Sequence, residues 1–345
     1  MNQIPLALNK EEIAELKGLL QQPKKIIITT HRSPDGDAIG SSLALWHVLN
    51  KLGHEVQVIT PNQYPEFLHW LPANDYVIEY DDRKKDAEEM TAAADIIFCL
   101  DFNAPGRLED FEDAVLNASA TKVLIDHHQE PHDFVDFVFS DPESCSTAQM
   151  MYEFFEFMGY KKYITKEVGT CIYVGILTDT GSFRFPSTTA YTHEVVANLI
   201  KIGIDASDIY NKVYDNNSED RLKLLGYVLS EKMEVFHEYR TALITLTHEE
   251  MKQFNFQPGD TEGFVNYPLS IKNICFTAYM AFKDGQVKIS FRSKGGFSVN
   301  RFARENFNGG GHINAAGGYS NLSLEEARKK FIELLPKYER HLMES

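Results

Sequence analysis

The chain has 345 residues, with 34 lysines and arginines against 50 aspartates and glutamates, a formal net charge of −16. That balance excludes a protein that coats duplex DNA, because such binding rests on neutralising many phosphates. An ordinary apolar content without any bilayer-length apolar run likewise excludes a membrane-spanning chain.

The length predicts two domains. At the N-terminus, MNQIPLALNKEE lacks a signal-peptide pattern, and the expectation is a cytoplasmic protein. Segments 24–30 (KKIIITT), 55–60 (EVQVIT), 94–100 (ADIIFCL) and 122–125 (KVLI) predict strands. Helix-like stretches lie between them, the signature of a parallel sheet with crossover helices. SSLALWHVLNKLG has helical spacing, closes on Gly53, and takes Asp37 as its expected N-cap. Residues 146–160 predict a helix capped by Ser146 or Thr147, and EVGTCIYVGILTDT runs from helix character to a polar end at Asp179. From Thr188 to about Asn217 the chain reads as helix and connector. This gives a first domain at 1–190, a helical linker at 191–217 and a second domain at 218–345. The second half opens with a helix (218–233) and a strand (240–246). Two alternating runs follow in FTAYMAFKDGQVKISFRS, joined at Asp284-Gly285, a strong hairpin signal. The last helix begins with a Ser323/Glu326 capping box, and Pro336 is expected to start, kink or break it. Cys99, Cys145, Cys171 and Cys275 form no CxxC pair and read as buried free thiols.

The chemistry-bearing residues fall at the polar ends of apolar segments. His31, Asp35 and Asp37 follow the first, Asp101 the third, Asp126-His127-His128 the fourth, and Asp179 closes YVGILT. In an open α/β sheet, ligands bind beyond the carboxyl ends of the strands. Taken singly, each residue is a turn aspartate, a helix cap or a structural histidine. Their shared placement is what those readings leave unexplained. Carboxylates and imidazoles without thiolates suit Mn²⁺ or Mg²⁺ better than structural zinc. So many donors suit two ions bridged by one carboxylate, an arrangement used to cleave phosphoesters.

A second constellation lies downstream. In NGGGH, Gly309, Gly310 and Gly311 let backbone N–H groups approach a phosphate and His312 adds a donor; the same residues also read as a glycine-rich turn before a helix. Arg292, Ser293 and Lys294 lie in the window 283–304, whose net charge is +5, a welcoming patch for a small anion. Phe297, Phe302 and Phe307 are read there as core rather than base-stacking residues, and Arg107 as a surface arginine.

His31-x-x-x-Asp35-x-Asp37, Asp101, Asp126-His127-His128 and Asp179, followed by NGGGHINAAGG (308–318), resemble the motifs of the DHH phosphoesterase superfamily. That superfamily includes RecJ-like exonucleases, family II inorganic pyrophosphatases, exopolyphosphatases and oligoribonucleases. The resemblance implies an α/β fold in two domains: a parallel-sheet catalytic domain and a smaller α/β DHH-associated substrate domain. It implies two divalent ions, most simply Mn²⁺. His31 and Asp35 would hold one, Asp37, His127 and Asp179 the other, and Asp101 would bridge them. Asp126 would orient a ligand histidine, and His128 would touch the substrate phosphate or protonate the leaving oxygen. Arg292, Ser293, Lys294, the three glycines and His312 would grip the substrate. The two-domain form most resembles bacterial nanoRNases, which cleave short single-stranded RNA oligonucleotides to mononucleotides and remove the 3′-phosphate of 3′-phosphoadenosine 5′-phosphate (pAp). Such an enzyme would use neither duplex DNA nor a membrane, and a homodimer is implied by the resemblance alone. The alternatives are an exopolyphosphatase or pyrophosphatase, a cyclic or linear dinucleotide phosphodiesterase, and an inactive nucleotide-binding regulator.

Overall fold

The β-branched runs of the first half pair side by side in parallel, buried on both faces, in a computed structural model that describes residues 10–345 except Pro258 and Asp284. The N-terminal segment MNQIPLALN, read above for a signal peptide, and Asp284 of the expected hairpin turn lie outside the described residues. The chain divides into two units between Asn216 and Asn217.

In the first unit, β1 (Lys25–Thr30), β2 (Glu55–Thr60), β3 (Val77–Glu79), β4 (Ile96–Leu100), β5 (Thr121–Asp126) and β6 (Phe137–Ser140) form one parallel sheet in the order β3-β2-β1-β4-β5-β6. Side chains alternate across it. Ile26, Ile28, Phe98, Leu100, Val123 and Ile125 face one core, and Ile27, Ile97, Cys99 and Leu124 face another. The first core is covered by α1 (Lys10–Leu19), α2 (Gly36–Lys51), α5 (Thr147–Met158) and α6 (Lys166–Asp179); the second by α3 (Lys84–Ala92), α4 (Glu112–Asn117) and a 3₁₀ segment at 105–111. Residues 191–216 do not link two domains as expected. They belong to this unit, where α7 (Ala190–Ile202) buries Val195, Val196 and Leu199, and α8 (Ala206–Tyr214) buries Ile209, in the first core.

The second unit begins with α9 (Glu219–Tyr227), which stops short of the expected helix end and passes through a π turn at 228–232 into β7 (Met233–Phe236). The strands β8 (Thr241–Leu246), β9 (Phe276–Lys283), β10 (Gln286–Ser293), β11 (Gly310–Gly311) and β12 (Ala315–Ser320) complete a sheet in the order β11-β12-β10-β9-β8-β7. It is antiparallel except for the β8–β9 pair. One face carries α11 (Val299–Asn306) and α12 (Leu324–Glu344). Phe276, Phe291, Phe297, Phe302, Phe307 and Phe331 pack edge-to-face and tilted there, so the three downstream phenylalanines are core. The other face is covered by α9, by Met251 of α10 (His248–Lys252) and by the segment 264–270. The Ser323/Glu326 capping box forms as expected. Pro336 neither starts nor breaks α12. It deletes one backbone donor, and burial of Phe331, Leu334, Leu335 and Leu342 on one side carries the helix through. Among the described residues no helix is long and apolar enough to cross a membrane, and all four cysteines are buried free thiols.

Candidate metal centre

Strand register alone collects the first three acidic and imidazole groups. Thr30 pairs with Leu100, and Leu100 with Ile125, so the next residues, His31, Asp101 and Asp126, stand in a row at the carboxyl edge. The strand order reverses between β1 and β4, the position where open α/β sheets hold ligands. Asp101 lies in left-handed backbone (φ 66°), a conformation costing about 1–3 kcal/mol that is retained where a site needs it. Its carboxylate is split between two histidines: Oδ2 is 3.6 Å from His31 Nε2 and Oδ1 is 3.6 Å from His127 Nε2.

Two helix N-termini supply the rest. Asp35, not Asp37, caps α2: its Oδ1 accepts from the backbone N–H groups of Asp37 and Ala38 at 2.9 and 3.1 Å. Asp37 points instead at the start of α5, where its carboxylate accepts from Thr147 N at 2.7 Å and Ala148 N at 2.8 Å, with Ser146 as the N-cap. Thr147 Oγ1 donates to Asp101 Oδ1 at 2.9 Å. Asp179 does not follow a strand; it is the last residue of helix α6. A carboxylate there opposes the helix dipole and calls for a cation. Its Oδ2 is 3.7 Å from His127 Nε2, and Asp37 Oδ2 is 3.8 Å from the same nitrogen. The donors thus sort into His31, Asp35 and Asp101 on one side and Asp37, His127 and Asp179 on the other, each set with its ligand atoms within 4.8 Å of one another.

Both histidines are aimed by carbonyls. His31 Nδ1 donates to Arg32 O at 2.8 Å and His127 Nδ1 to Ser144 O at 3.3 Å, so each ring turns its Nε2 toward the carboxylates, where a bound ion would take the nitrogen as a ligand. Asp126 does not hold either of these rings; its Oδ1 takes His128 Nδ1 at 2.7 Å.

The electrostatics fit bound cations. Burial, and then the charges of Asp101, Asp179 and Asp35, lift the Asp37 carboxyl well above its ordinary range. Burial pushes Asp179 to about 6, with Asp35 and Asp101 adding to it against the pull of His127. Asp35 loses solvent too, but His31 and the α2 backbone N–H groups hold its carboxyl low. Asp126 Oδ2 is buried without a hydrogen-bond partner. Crowded, desolvated carboxylates of this kind are stabilised by a divalent cation.

In the second unit the glycines have a packing reason. A Cβ on Gly309 would sit 2.0 Å from Gly317 O, and Gly311, at φ 142°, would meet Ala315 O at 2.6 Å. NGGGH therefore enters the β11–β12 hairpin rather than a helix, with His312 N donating to Ala315 O at 2.7 Å. The outward side of Gly310 faces Arg304, a residue the motif reading did not single out. Arg292 is half-buried with Nη1 on Phe291 O, and exposed Lys294 reaches Leu269 O. Ser293 is not presented to a ligand: its buried hydroxyl donates to Phe297 O at 2.7 Å and accepts from Asn314 Nδ2 at 2.8 Å. Thr147 and Ser144 touch the metal-side residues but carry no motif signal, because their role depends on the fold that brings them against Asp37, Asp101 and His127, which lie 110, 46 and 17 positions away.

Residues 25–176 match the DHH family N-terminal domain and residues 241–338 the DHHA1 domain. The chain is 32 % identical over 324 residues to the bifunctional oligoribonuclease and PAP phosphatase NrnA of Thermus thermophilus, covering 93 % of this chain and 91 % of that one. It is 28 % identical over 315 residues to the protein of the same name from Bacillus subtilis, covering 90 % and 93 %. A solved exopolyphosphatase-related protein from Bacteroides fragilis superposes with a TM-score of 0.94 at 44 % identity, over 99 % of this chain and all of that one.

Proposed function

The chain belongs to the DHH family, and from that premise we propose that it is a metal-dependent phosphoesterase that hydrolyses short oligoribonucleotides to mononucleotides and removes the 3′-phosphate of pAp. The observation that carries the mechanism is the Asp101 carboxylate, whose two oxygens face the two donor sets separately. His31 and Asp35 would hold one divalent ion and Asp37, His127 and Asp179 the other, with Asp101 offering one carboxylate oxygen to each donor set. The mixture of carboxylate and imidazole donors favours Mn²⁺. When bound, such a pair supplies an activated water nucleophile and neutralises charge on the phosphoryl group.

The protein's part is positioning and proton handling. Carbonyl-anchored Nδ1–H groups keep His31 and His127 in the tautomer whose Nε2 is a ligand. The α5 N-terminus holds Asp37 with two backbone donors, and Thr147 holds Asp101 with its hydroxyl. His128 protonates the leaving oxygen from Nε2, while Asp126, buried and bonded to Nδ1, stabilises the imidazolium. The basic window 283–304, of net charge +5, favours a small anionic ligand, and the acidic remainder of the chain disfavours duplex DNA.

A substrate panel with Mn²⁺, with and without EDTA, tests this. It contains a diribonucleotide, a pentaribonucleotide, a long RNA, pAp, pyrophosphate and polyphosphate. The expected result is Mn²⁺-dependent mononucleotide release from the short RNAs and phosphate release from pAp, both abolished by EDTA. Turnover confined to polyphosphate or pyrophosphate would overturn the reading.

A further inference from the structure

Three of the residues assigned to the metals lean on one short stretch, Ser144–Ala148. Ser144 O orients His127, Thr147 Oγ1 holds Asp101, and the Thr147 and Ala148 N–H groups hold Asp37. This stretch is not a regular element until α5 begins, so something other than helix bonding must fix the Ser144 end. Gln149 does so. It is buried (5 % exposed) as the third residue of α5, and all the polar capacity of its amide is directed at neighbours. Nε2 donates to Ser144 Oγ at 3.3 Å and to Glu153 Oε1 at 3.2 Å; Oε1 accepts from Thr192 Oγ1 at 2.8 Å and from Cys145 Sγ at 3.1 Å. The Ser144 hydroxyl in turn donates a hydrogen bond to Ser146 O at 3.1 Å. The amide therefore clamps the turn before the helix to the helix itself and to α7.

Resting on the dimetal reading above, we infer that Gln149 is a positioning residue for the metal centre: its amide sets where the Ser144 carbonyl and the α5 N-terminus stand, and so tunes metal affinity without touching a metal. Groups that orient metal ligands at one remove change affinity by roughly 10–100-fold when removed. Loss of this clamp releases the Ser144 carbonyl, and the His127 ring loses its fixed aim. None of the hydrogen bonds named here involves the second unit.

The test is Mn²⁺ binding to the full chain, followed by calorimetry, for wild type, Gln149→Met and Ser144→Ala. Gln149→Met keeps the length and removes every hydrogen bond. Ser144→Ala deletes one hydroxyl and keeps the carbonyl that His127 uses, so it remains informative if the first variant does not fold. The expected result is a variant with the wild-type circular dichroism spectrum whose Mn²⁺ affinity is weaker by roughly 10-fold or more. Its turnover should recover as Mn²⁺ is raised, with an unchanged KM for a diribonucleotide at saturating metal. A purely structural role would not give metal-titratable recovery. A folded Gln149→Met or Ser144→Ala variant with the wild-type Mn²⁺ isotherm would overturn the inference alone. A wild-type chain that takes up no Mn²⁺ would overturn the dimetal reading and the inference with it.

Discussion

His128 and Glu153 show how differently two titratable residues near one centre behave. His128 is bonded to a buried carboxylate and assigned to the leaving oxygen, so His128→Gln is expected to lower kcat by about 10²–10⁴-fold while Mn²⁺ affinity stays at the wild-type level. Steady-state kinetics beside a metal titration checks this; a parallel loss of metal would reassign His128 as a ligand. Glu153 acts on stability. Burial raises its carboxyl to about 7, with Asp141 and Glu156 adding to the effect against the Gln149 amide. The folded chain keeps a proton that the unfolded chain releases near the ordinary value of 4.5, so stability from this group is present at low pH and lost as pH rises to about 7. At 1.36 kcal/mol per unit the loss is on the order of 3 kcal/mol. Glu153→Gln should therefore melt higher than wild type at about pH 8 and close to it at about pH 4. Equal melting temperatures at the higher pH would contradict this.

At the scale of elements, the contact of α2 with α6 and α5 decides where Asp37 can stand. An added Cβ on Gly175 would lie 2.4 Å from Ala148 Cβ and 2.7 Å from Asp37 Oδ1, and one on Gly40 would lie 2.5 Å from Cys171 O. Gly175→Ala is expected to spread these helices at a cost of about 1–3 kcal/mol and to weaken Mn²⁺ binding together with the melting temperature. A variant that melts lower yet binds Mn²⁺ normally would show that Asp37 tolerates the shift. Much of this was legible in the sequence: β1, β4 and β5 carry continuous apolar runs, His31 and Asp101 sit one residue beyond β1 and β4, and Asp126 closes β5. The strands β3 (VIE) and β6 (FVFS) were missed because short edge strands owe their existence to the neighbour they pair with. The Asp35 cap was misplaced by two residues because either aspartate suits a helix start. Only the packing of α5 against α2 claims Asp37 for another helix. Ser293 was misread for a related reason: its position at a strand end does not reveal that Asn314 and Phe297 enclose it.

For the whole molecule, the charge balance favours a small anion over a duplex. A chain of net charge −16 with one window, 283–304, of net charge +5 is expected to bind a few phosphates and not a duplex. Long duplex DNA should fail to compete with a pentaribonucleotide at physiological salt, and effective competition would show a basic surface that the composition does not suggest. The central claim is that one carboxylate, Asp101, joins two ions. Counting Mn²⁺ per chain by equilibrium dialysis in wild type and Asp101→Asn, with turnover of a diribonucleotide on the same samples, tests it most directly. The account predicts two ions in the wild type, and a folded variant that holds fewer and loses turnover by orders of magnitude. An Asp101→Asn chain that keeps both ions, or that cleaves the diribonucleotide at the wild-type rate, would contradict it.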